Sequence, residues 1–238
     1  YATIIAKTVE MLLLIGYTIK ERPEFISFSV FKRIDWALFG RILKKGSLLI
    51  ISQMMWVLSE SFTAAIYNGR GNAAVVSGMA ASFSIANLFF ISFDGITTAT
   101  GVLIGKSLGR NELEDARKEK TWMLSAAIIF GCIMCLVGVV TVLLVPVVFG
   151  NLSIDAQNIC RAMLLLMALF MPLWIYVNTQ LAVCRAGGDT KVGFLVDGVT
   201  TAVMIPMLLI LAFFTNASPV MMYFGVKALD VGKIIVAT

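Results

Sequence analysis

The chain alternates between long apolar runs and short polar segments. Apolar runs of about 20 residues or more, the length that an α-helix needs to cross a bilayer, recur along the interior of the sequence. They lie at 46–68, 80–104, 122–149, 160–184 and 192–214. Two further runs, 2–19 and 219–238, lie at its ends. The pattern predicts at least five transmembrane helices.

The composition agrees with this pattern. Hydrophobic residues make up 59% of the sequence and charged residues 14%, and the mean hydropathy is +0.92. A soluble domain of this length could not bury so much apolar surface in one core. We therefore predict an all-α membrane protein, a transmembrane helix bundle. Because Tyr1 and Thr238 both lie within apolar runs, we expect neighbouring spans beyond the two ends.

Basic residues are sorted by segment. Seven Lys and Arg residues lie in 20–45 and five in 105–121, whereas the turn between the first two interior runs has one. A weaker excess follows at 185–191, and Lys227 and Lys233 lie in the last run. The positive-inside rule then predicts that 20–45, 105–121 and 185–191 are cytoplasmic. We therefore attribute the net charge of +5 to basic segments on the cytoplasmic side, and we expect no nucleic-acid partner.

The cysteines do not indicate a metal or redox site. Cys132 and Cys135 form a C-x-x-C, but it lies inside an apolar run, has no second pair, and the sequence has no histidine. There is also no nucleophile motif such as G-x-S-x-G. We expect packing roles for the cysteines, no cofactor and no enzymatic activity.

Glycines mark two places along the chain. Gly101, Gly105 and Gly109 recur every four residues, which predicts one smooth helix face and tight helix packing there. In the turn 185–190, two adjacent glycines can adopt positive φ to end one helix, and Asp189 is predicted to be the N-cap of the next.

Two stretches resemble the MATE (multidrug and toxic compound extrusion) transporters: GVLIGKSLGRNELEDARK at 101–118 and QLAVCRAGGDTKVGFLVD at 180–197. The resemblance implies a protein of two six-helix lobes. On that template, 1–19 is the end of the last helix of the first lobe, 20–45 is the cytoplasmic linker between lobes, and 46–238 is the transmembrane bundle of the second lobe.

The same resemblance implies a function. MATE proteins export organic, often cationic compounds by alternating access, and inward movement of Na⁺ or H⁺ drives the export. The expected partners are then a small-molecule substrate, the lipid bilayer and the missing N-terminal lobe. The expected location is the plasma membrane, as a multi-pass protein of a bacterial inner or cell membrane.

Two carboxylates at membrane depth are candidates for coupling to an ion. A charged side chain at this depth costs on the order of 2.5–3.5 kcal/mol, so Glu60 and Asp94 are hypothesised to act in transport. Helical spacing puts Gln53 and Trp56, together with Ala64 and Tyr67, on roughly the face of Glu60. The alternative is a carboxylate that is hydrogen-bonded near the outer interface.

Asp94 shares a helix face with Asn87 and Phe90. Since Glu60 and Asp94 lie on consecutive antiparallel helices, one shared polar pocket is a hypothesis consistent with their positions. The alternative is that Asp94 pairs with a base such as Lys106. Two other acids, Asp197 and Asp230, are predicted to lie near cytoplasmic helix ends with structural roles.

The 160–184 helix departs from the family pattern. Some MATE proteins have an acid in this helix and another at the position of Trp56, and this sequence has neither. The helix instead offers Tyr176 and Gln180 on the face of Pro172, with Asn178 nearby, as substrate or cavity candidates. Pro172 removes a backbone hydrogen bond and is predicted to kink the helix, either as a hinge or as a static bend.

An alternative function is a lipid-linked precursor flippase or polysaccharide exporter of related architecture. Such a protein would bind a pyrophosphate headgroup with basic side chains. The central spans are almost free of Lys and Arg, which favours the export of cations.

Overall fold

A computed structural model describes residues 2–21, 35–215 and 218–232. Helices account for almost all of these residues, and there is no strand within the described ranges. In chain order they are α1 (Ala2–Glu21), α2 (Trp36–Arg70), α3 (Ala73–Gly109), α4 (Leu113–Val148), α5 (Ile154–Ala186), α6 (Lys191–Phe214) and α7 (Pro219–Ala228).

Five helices, α2 to α6, are long and apolar enough to cross a membrane, which confirms the predicted all-α membrane bundle. Their ends differ from the predicted spans because polar residues continue the helices. The longest, α3, has 37 residues, or about 55 Å at 1.5 Å per residue, against a hydrocarbon core of about 30 Å. Four helices, α2 to α5, therefore extend beyond the apolar runs that predicted them, whereas α6 matches its run to within one residue.

The chain divides into two compact units after Lys44. The first unit contains α1, in which the Lys7 ammonium lies 2.6 Å from the Glu10 carboxylate in an exposed i,i+3 ion pair. Half of the predicted linker 20–45, residues 22–34, lies outside the described residues, and α2 already begins at Trp36.

In the second unit, α5 is the most deeply packed helix. Thirteen of its residues are buried, among them a stripe of Met163, Met167 and Met171. Unbranched methionines adapt to irregular gaps, which suits a helix that contacts neighbours on several sides. The stripe places α5 at the centre of the unit, between α3, α4 and α7.

Glycines bring α4 close to α5. A Cβ at Gly131 would lie 2.5 Å from the Cα of Pro172, and a Cβ at Gly138 would lie 2.7 Å from the Cβ of Ala168. Only the missing side chains allow the two backbones to approach this closely. Pro172, the predicted hinge, therefore lies directly against α4 inside a continuous helix.

The glycines that were predicted to pack tightly lie elsewhere. A Cβ at Gly101, Gly105 or Gly109 would meet no atom within 4 Å in the described part of the chain. The prediction of tight packing there is wrong within this chain, because the regular spacing creates a smooth face but does not provide a helix to cover it.

Two turns between helices use positive φ. Asn111 (φ 62°) follows the end of α3, and Gly188 (φ 82°) follows the end of α5, where a positive φ is favourable for glycine. Asp189 is not the N-cap of α6, since that position is occupied by Thr190. The Asp189 carboxylate nevertheless accepts a hydrogen bond from the backbone N–H of Lys191 at 3.0 Å, so it satisfies one free amide of the first turn.

Candidate functional site

An ion pair joins α2 to α7 at the centre of the candidate site. The Lys227 Nζ lies 2.6 Å from Glu60 Oε1, and the side chains are 11% and 27% exposed, respectively. Glu60 lies ten residues before the end of α2, and Lys227 lies eight residues after Pro219. At 1.5 Å per residue, both are about 12–15 Å from the helix ends that the predicted topology places outside. On that prediction, the pair lies at membrane depth.

Two aromatic rings enclose the other side of the ammonium. The Lys227 Nζ lies 5.5 Å from the ring centroid of Trp174 and 5.5 Å from that of Tyr223. An ammonium at this distance from a ring face is stabilised by the quadrupole of the ring, by about 0.5–2 kcal/mol. Lys227 is therefore held by a carboxylate and two rings, all from this chain.

A second carboxylate lies beyond Trp174. The Trp174 Nε1–H donates to Asp230 Oδ2 at 2.9 Å, and Asp230 is 6% exposed. The sequence predicts Asp230 near a helix end with a structural role. Asp230 lies two residues beyond the end of α7 at Ala228, and its carboxylate is buried against a ring twelve residues before the end of α5.

Glu60 also borders a cavity of about 280 Å³. The cavity is lined by Glu60, Ser61, Thr63, Ala64, Tyr67, Met79 and Phe83. The Tyr67 hydroxyl is buried and has no hydrogen-bond partner among the described residues. Since a buried hydroxyl without a partner costs roughly 1–3 kcal/mol, its position in the wall favours a polar occupant of the cavity.

The predicted face of Glu60 is brought together only in part. Ala64 and Tyr67 line the cavity with Glu60. Gln53 and Trp56 are exposed in the described chain and do not belong to the lining. The lining continues from Glu60 toward the end of α2, whereas Gln53 and Trp56 lie one to two helical turns in the other direction.

Asp94 is not in this site. Its side chain is exposed, it does not line the cavity, and within the described residues it forms no ion pair with Lys106. Asn87 on the same face is also exposed. Phe90 does lie against the site, since its ring is 6.2 Å from that of Trp174 in an edge-on arrangement.

The α5 candidates lie around the site rather than in its cavity. Asn178 Nδ2 donates to the backbone carbonyl of Trp174 at 2.8 Å, within its own helix. Tyr176 packs against a small apolar cluster with α6, and Gln180 is 7% exposed. Neither of these, nor Pro172, is among the residues that line the cavity.

The sequence did not reveal the partners of Glu60. In the sequence Lys227 is only a charge in the last run, although a lysine three residues before an aspartate in an apolar run indicates a buried polar face. Trp174 is one of several aromatic residues that are candidates for stacking on flat cations, but the sequence does not single out Trp174 or Tyr223 as a neighbour of Glu60's partner. The pairing joins residues 167 positions apart, a separation at which local spacing carries no information.

Comparisons with known proteins identify the family. The family model MatE matches residues 49–222, which is most of the chain. No curated protein matches the chain. Among solved structures, the chain is similar to a crystal structure of a MATE mutant, with 16% identity and a TM-score of 0.77, over 100% of this chain and 52% of that one.

Two further structures have the same fold. One is an outward-facing multidrug resistance MATE family transporter of the MOP superfamily, with 14% identity and a TM-score of 0.74, over 82% of this chain and 43% of that one. The other is a MOP superfamily transporter from Pyrococcus furiosus, described as having a binding pocket of reverse polarity that suggests a different function. It has 14% identity and a TM-score of 0.72, over 82% and 43% of the two chains.

The chain spans about half the length of the solved structures that it matches. At such low identities the structural likeness shows the fold alone, and the family rests on the match of the family model. The match shows that this chain, with five helices long and apolar enough to cross a membrane, belongs to the MatE family.

Proposed function

We propose that this chain forms the second lobe of a cation-coupled antiporter that exports organic cations by alternating access. The missing first lobe completes the substrate pathway, and inward movement of Na⁺ or H⁺ supplies the energy. The protein acts in the plasma membrane of a bacterium, the inner or cell membrane, and its partners are the lipid bilayer and a small-molecule substrate. No cofactor and no catalytic step are involved.

One observation carries the proposal. The Glu60 carboxylate lies at membrane depth and borders a cavity of about 280 Å³, whose wall also holds the Tyr67 hydroxyl, which has no hydrogen-bond partner among the described residues. A carboxylate oxygen can coordinate Na⁺ or take up a proton, and a tyrosine hydroxyl can act as a further oxygen ligand or hydrogen-bond partner. The arrangement supports exchange of a driving cation and a cationic substrate at a single acid.

The remaining candidates have different places in the proposal. Asp94 is proposed as a rival coupling acid, and its exposed side chain lies on a surface that another lobe could cover. Phe90 lies against Trp174 and is proposed to contact flat substrates. Gln53, Trp56, Asn87 and the α5 residues remain proposals for the wider substrate path, with Pro172 as the hinge.

The alternative of a lipid-linked precursor flippase finds less support in the site. A pyrophosphate headgroup needs basic side chains that are free to bind it. Lys227 is the base at the candidate site, and it is already paired with Glu60 and enclosed by Trp174 and Tyr223.

The test is gradient-driven transport by the full-length protein in proteoliposomes, with ethidium as the cation and an imposed Na⁺ or H⁺ gradient. Glu60→Gln keeps the shape of the side chain and removes its charge. We expect transport to fall about tenfold or more, which corresponds to about 1.4 kcal/mol of lost ion binding. Asp94→Asn in the same assay tests the rival acid.

The control is Glu114→Gln, which removes a carboxylate from an exposed ion pair with Arg117, 3.4 Å apart. An exposed pair contributes little to stability, so this variant should transport at the native rate. If Glu60→Gln transports as well as Glu114→Gln, Glu60 does not couple the ion, and the proposal for this lobe fails.

A further inference from the structure

Glu60 contacts both the Lys227 ammonium and the cavity. One carboxylate oxygen of Glu60 contacts the Lys227 ammonium at 2.6 Å, and the same residue lines the cavity. Any cation that enters the cavity and binds Glu60 therefore meets a carboxylate that already has a partner. The ion pair and the entering cation are alternatives for the same negative charge.

Other groups near Lys227 can stabilise its ammonium when it leaves Glu60. Its ammonium lies over the ring of Trp174, and the indole N–H of Trp174 holds the buried carboxylate of Asp230. Asp230 lies two residues after the end of α7, the helix that contains Lys227, and the indole of Trp174 contacts both side chains. When the ammonium leaves Glu60, the ring faces and Asp230 offer compensation for its charge, so that it is not left unpaired at membrane depth.

We propose that Lys227 is a tethered competitor for the cation site at Glu60: its ammonium occupies the carboxylate while the cavity is empty, and an organic cation displaces it on binding. This inference rests on the proposed function, since it deepens the role of Glu60. Lys227 returns to Glu60 when the substrate leaves, so release of the cation never exposes an isolated carboxylate at membrane depth.

A tethered competitor lowers the apparent affinity for the substrate, because only the fraction of molecules with a free site can bind it. A site that is free in about one molecule in ten binds its ligand about tenfold more weakly than a site that is always free. Removing the ammonium should therefore tighten binding of the substrate. A purely structural lysine would have the opposite effect or none, because its loss would loosen the walls of the site.

The experiment measures binding of ethidium to the purified full-length protein by fluorescence anisotropy, with transport followed in proteoliposomes. Lys227→Met keeps an unbranched side chain and removes the ammonium. We expect the Kd for ethidium to fall about tenfold, while the maximal transport rate falls because release is no longer assisted. Lys118→Met, which breaks an exposed pair with Asp115, is the matched control and should leave the Kd unchanged.

A second neutral variant tests whether the effect of Lys227→Met comes from a change in the fold. Lys227→Gln is also neutral and keeps a group that can donate a hydrogen bond to Glu60, so it should give the same tightening. Added methylammonium, a free form of the missing group, should then raise the Kd for ethidium in the Lys227→Gln variant more than in the native protein. In the double variant Glu60→Gln with Lys227→Met, the tightening should disappear, because the carboxylate for which the two cations compete is absent.

The outcomes separate the two proposals. If Glu60→Gln weakens ethidium binding but neither Lys227 variant tightens it, Lys227 is a structural partner and the competitor inference is overturned. If Glu60→Gln leaves ethidium binding and transport unchanged, the proposed function fails at its own site. Tightening in both Lys227 variants that depends on Glu60 supports the inference.

Discussion

Close packing of α4 on α5 predicts a steep cost for a single methyl group at Gly131. A Cβ there would lie 2.5 Å from the Cα of Pro172, 3.3 Å from its backbone nitrogen and 3.2 Å from its Cβ. The nearest atoms belong to the backbone or to a rigid ring, so no side chain can rotate away. Relief requires the two helices to separate by about 1 Å, and overpacking of this kind costs roughly 1–3 kcal/mol.

The matched control is Gly101→Ala on α3, where an added Cβ meets no atom within 4 Å among the described residues. Both substitutions change glycine to alanine within a helix, and both gain the same intrinsic helix propensity, about 1 kcal/mol. The difference in stability between the two variants therefore isolates the overpacking cost. We expect Gly131→Ala to be the less stable by about 1–3 kcal/mol.

The assay is thermal unfolding of the full-length protein in detergent, followed by the loss of monodisperse protein on size exclusion. A cost of this size lowers the unfolding midpoint by several degrees, at about 2–4 °C per kcal/mol for a chain of this length. Equal midpoints for Gly131→Ala and Gly101→Ala would refute the packing of α4 against Pro172.

Gly138 supplies an internal check on the same contact. An added Cβ there would lie 2.7 Å from the Cβ of Ala168, a methyl group that can be removed. Gly138→Ala alone should lower the midpoint, and addition of Ala168→Gly should restore part of the loss, since it transfers the methyl group from one helix to the other. No restoration would mean that the destabilisation has another cause.

Three further predictions use other features of the chain. In a cysteine-free background, a cysteine at Asn111 should react with an impermeant maleimide only from the cytoplasm and one at Asn72 only from outside; reversed labelling would overturn the topology. Tyr67→Phe should leave the unfolding midpoint of the ligand-free protein unchanged or raised, because the hydroxyl has no hydrogen-bond partner within the part of the chain that the structure describes, and should weaken ethidium binding; a large loss of stability would contradict this. Asp230→Asn keeps an oxygen that accepts from Trp174 and should retain the native midpoint, whereas Asp230→Leu should lower it.

The number and type of the helices follow from the sequence because lipid leaves the backbone no alternative. Within the bilayer every N–H and C=O must find a partner inside its own segment, so an apolar run of sufficient length is a helix. The ends follow less well, since α2 begins at Trp36 rather than at residue 46. Outside the bilayer, polar residues continue a helix at little cost, and hydropathy no longer marks its boundary.

Side-chain partners are harder to predict than helices. The depth of Glu60 could be read from the length of its span, because an acid far from either end of an apolar run is expensive. Its partner could not, since Lys227 is 167 residues away and one sequence gives no pairing at that distance. The same limit explains the glycines, because spacing shows that Gly101 lies on a smooth face but does not show which helix covers that face.

The Glu60–Lys227 ion pair lies at the edge of the cavity, and this position determines whether Glu60 can exchange one cation for another. A pair that was fully enclosed by apolar side chains could not exchange partners, because separation of two charges in a dry interior costs several kcal/mol per ion. Glu60 is 27% exposed and borders a cavity, whereas Lys227 is 11% exposed and faces two rings. The acid is thus open to an incoming cation while the base stays enclosed, an asymmetry that a structural ion pair does not require. The proposed exchange at Glu60, with Lys227 retained in its aromatic enclosure, rests on that asymmetry.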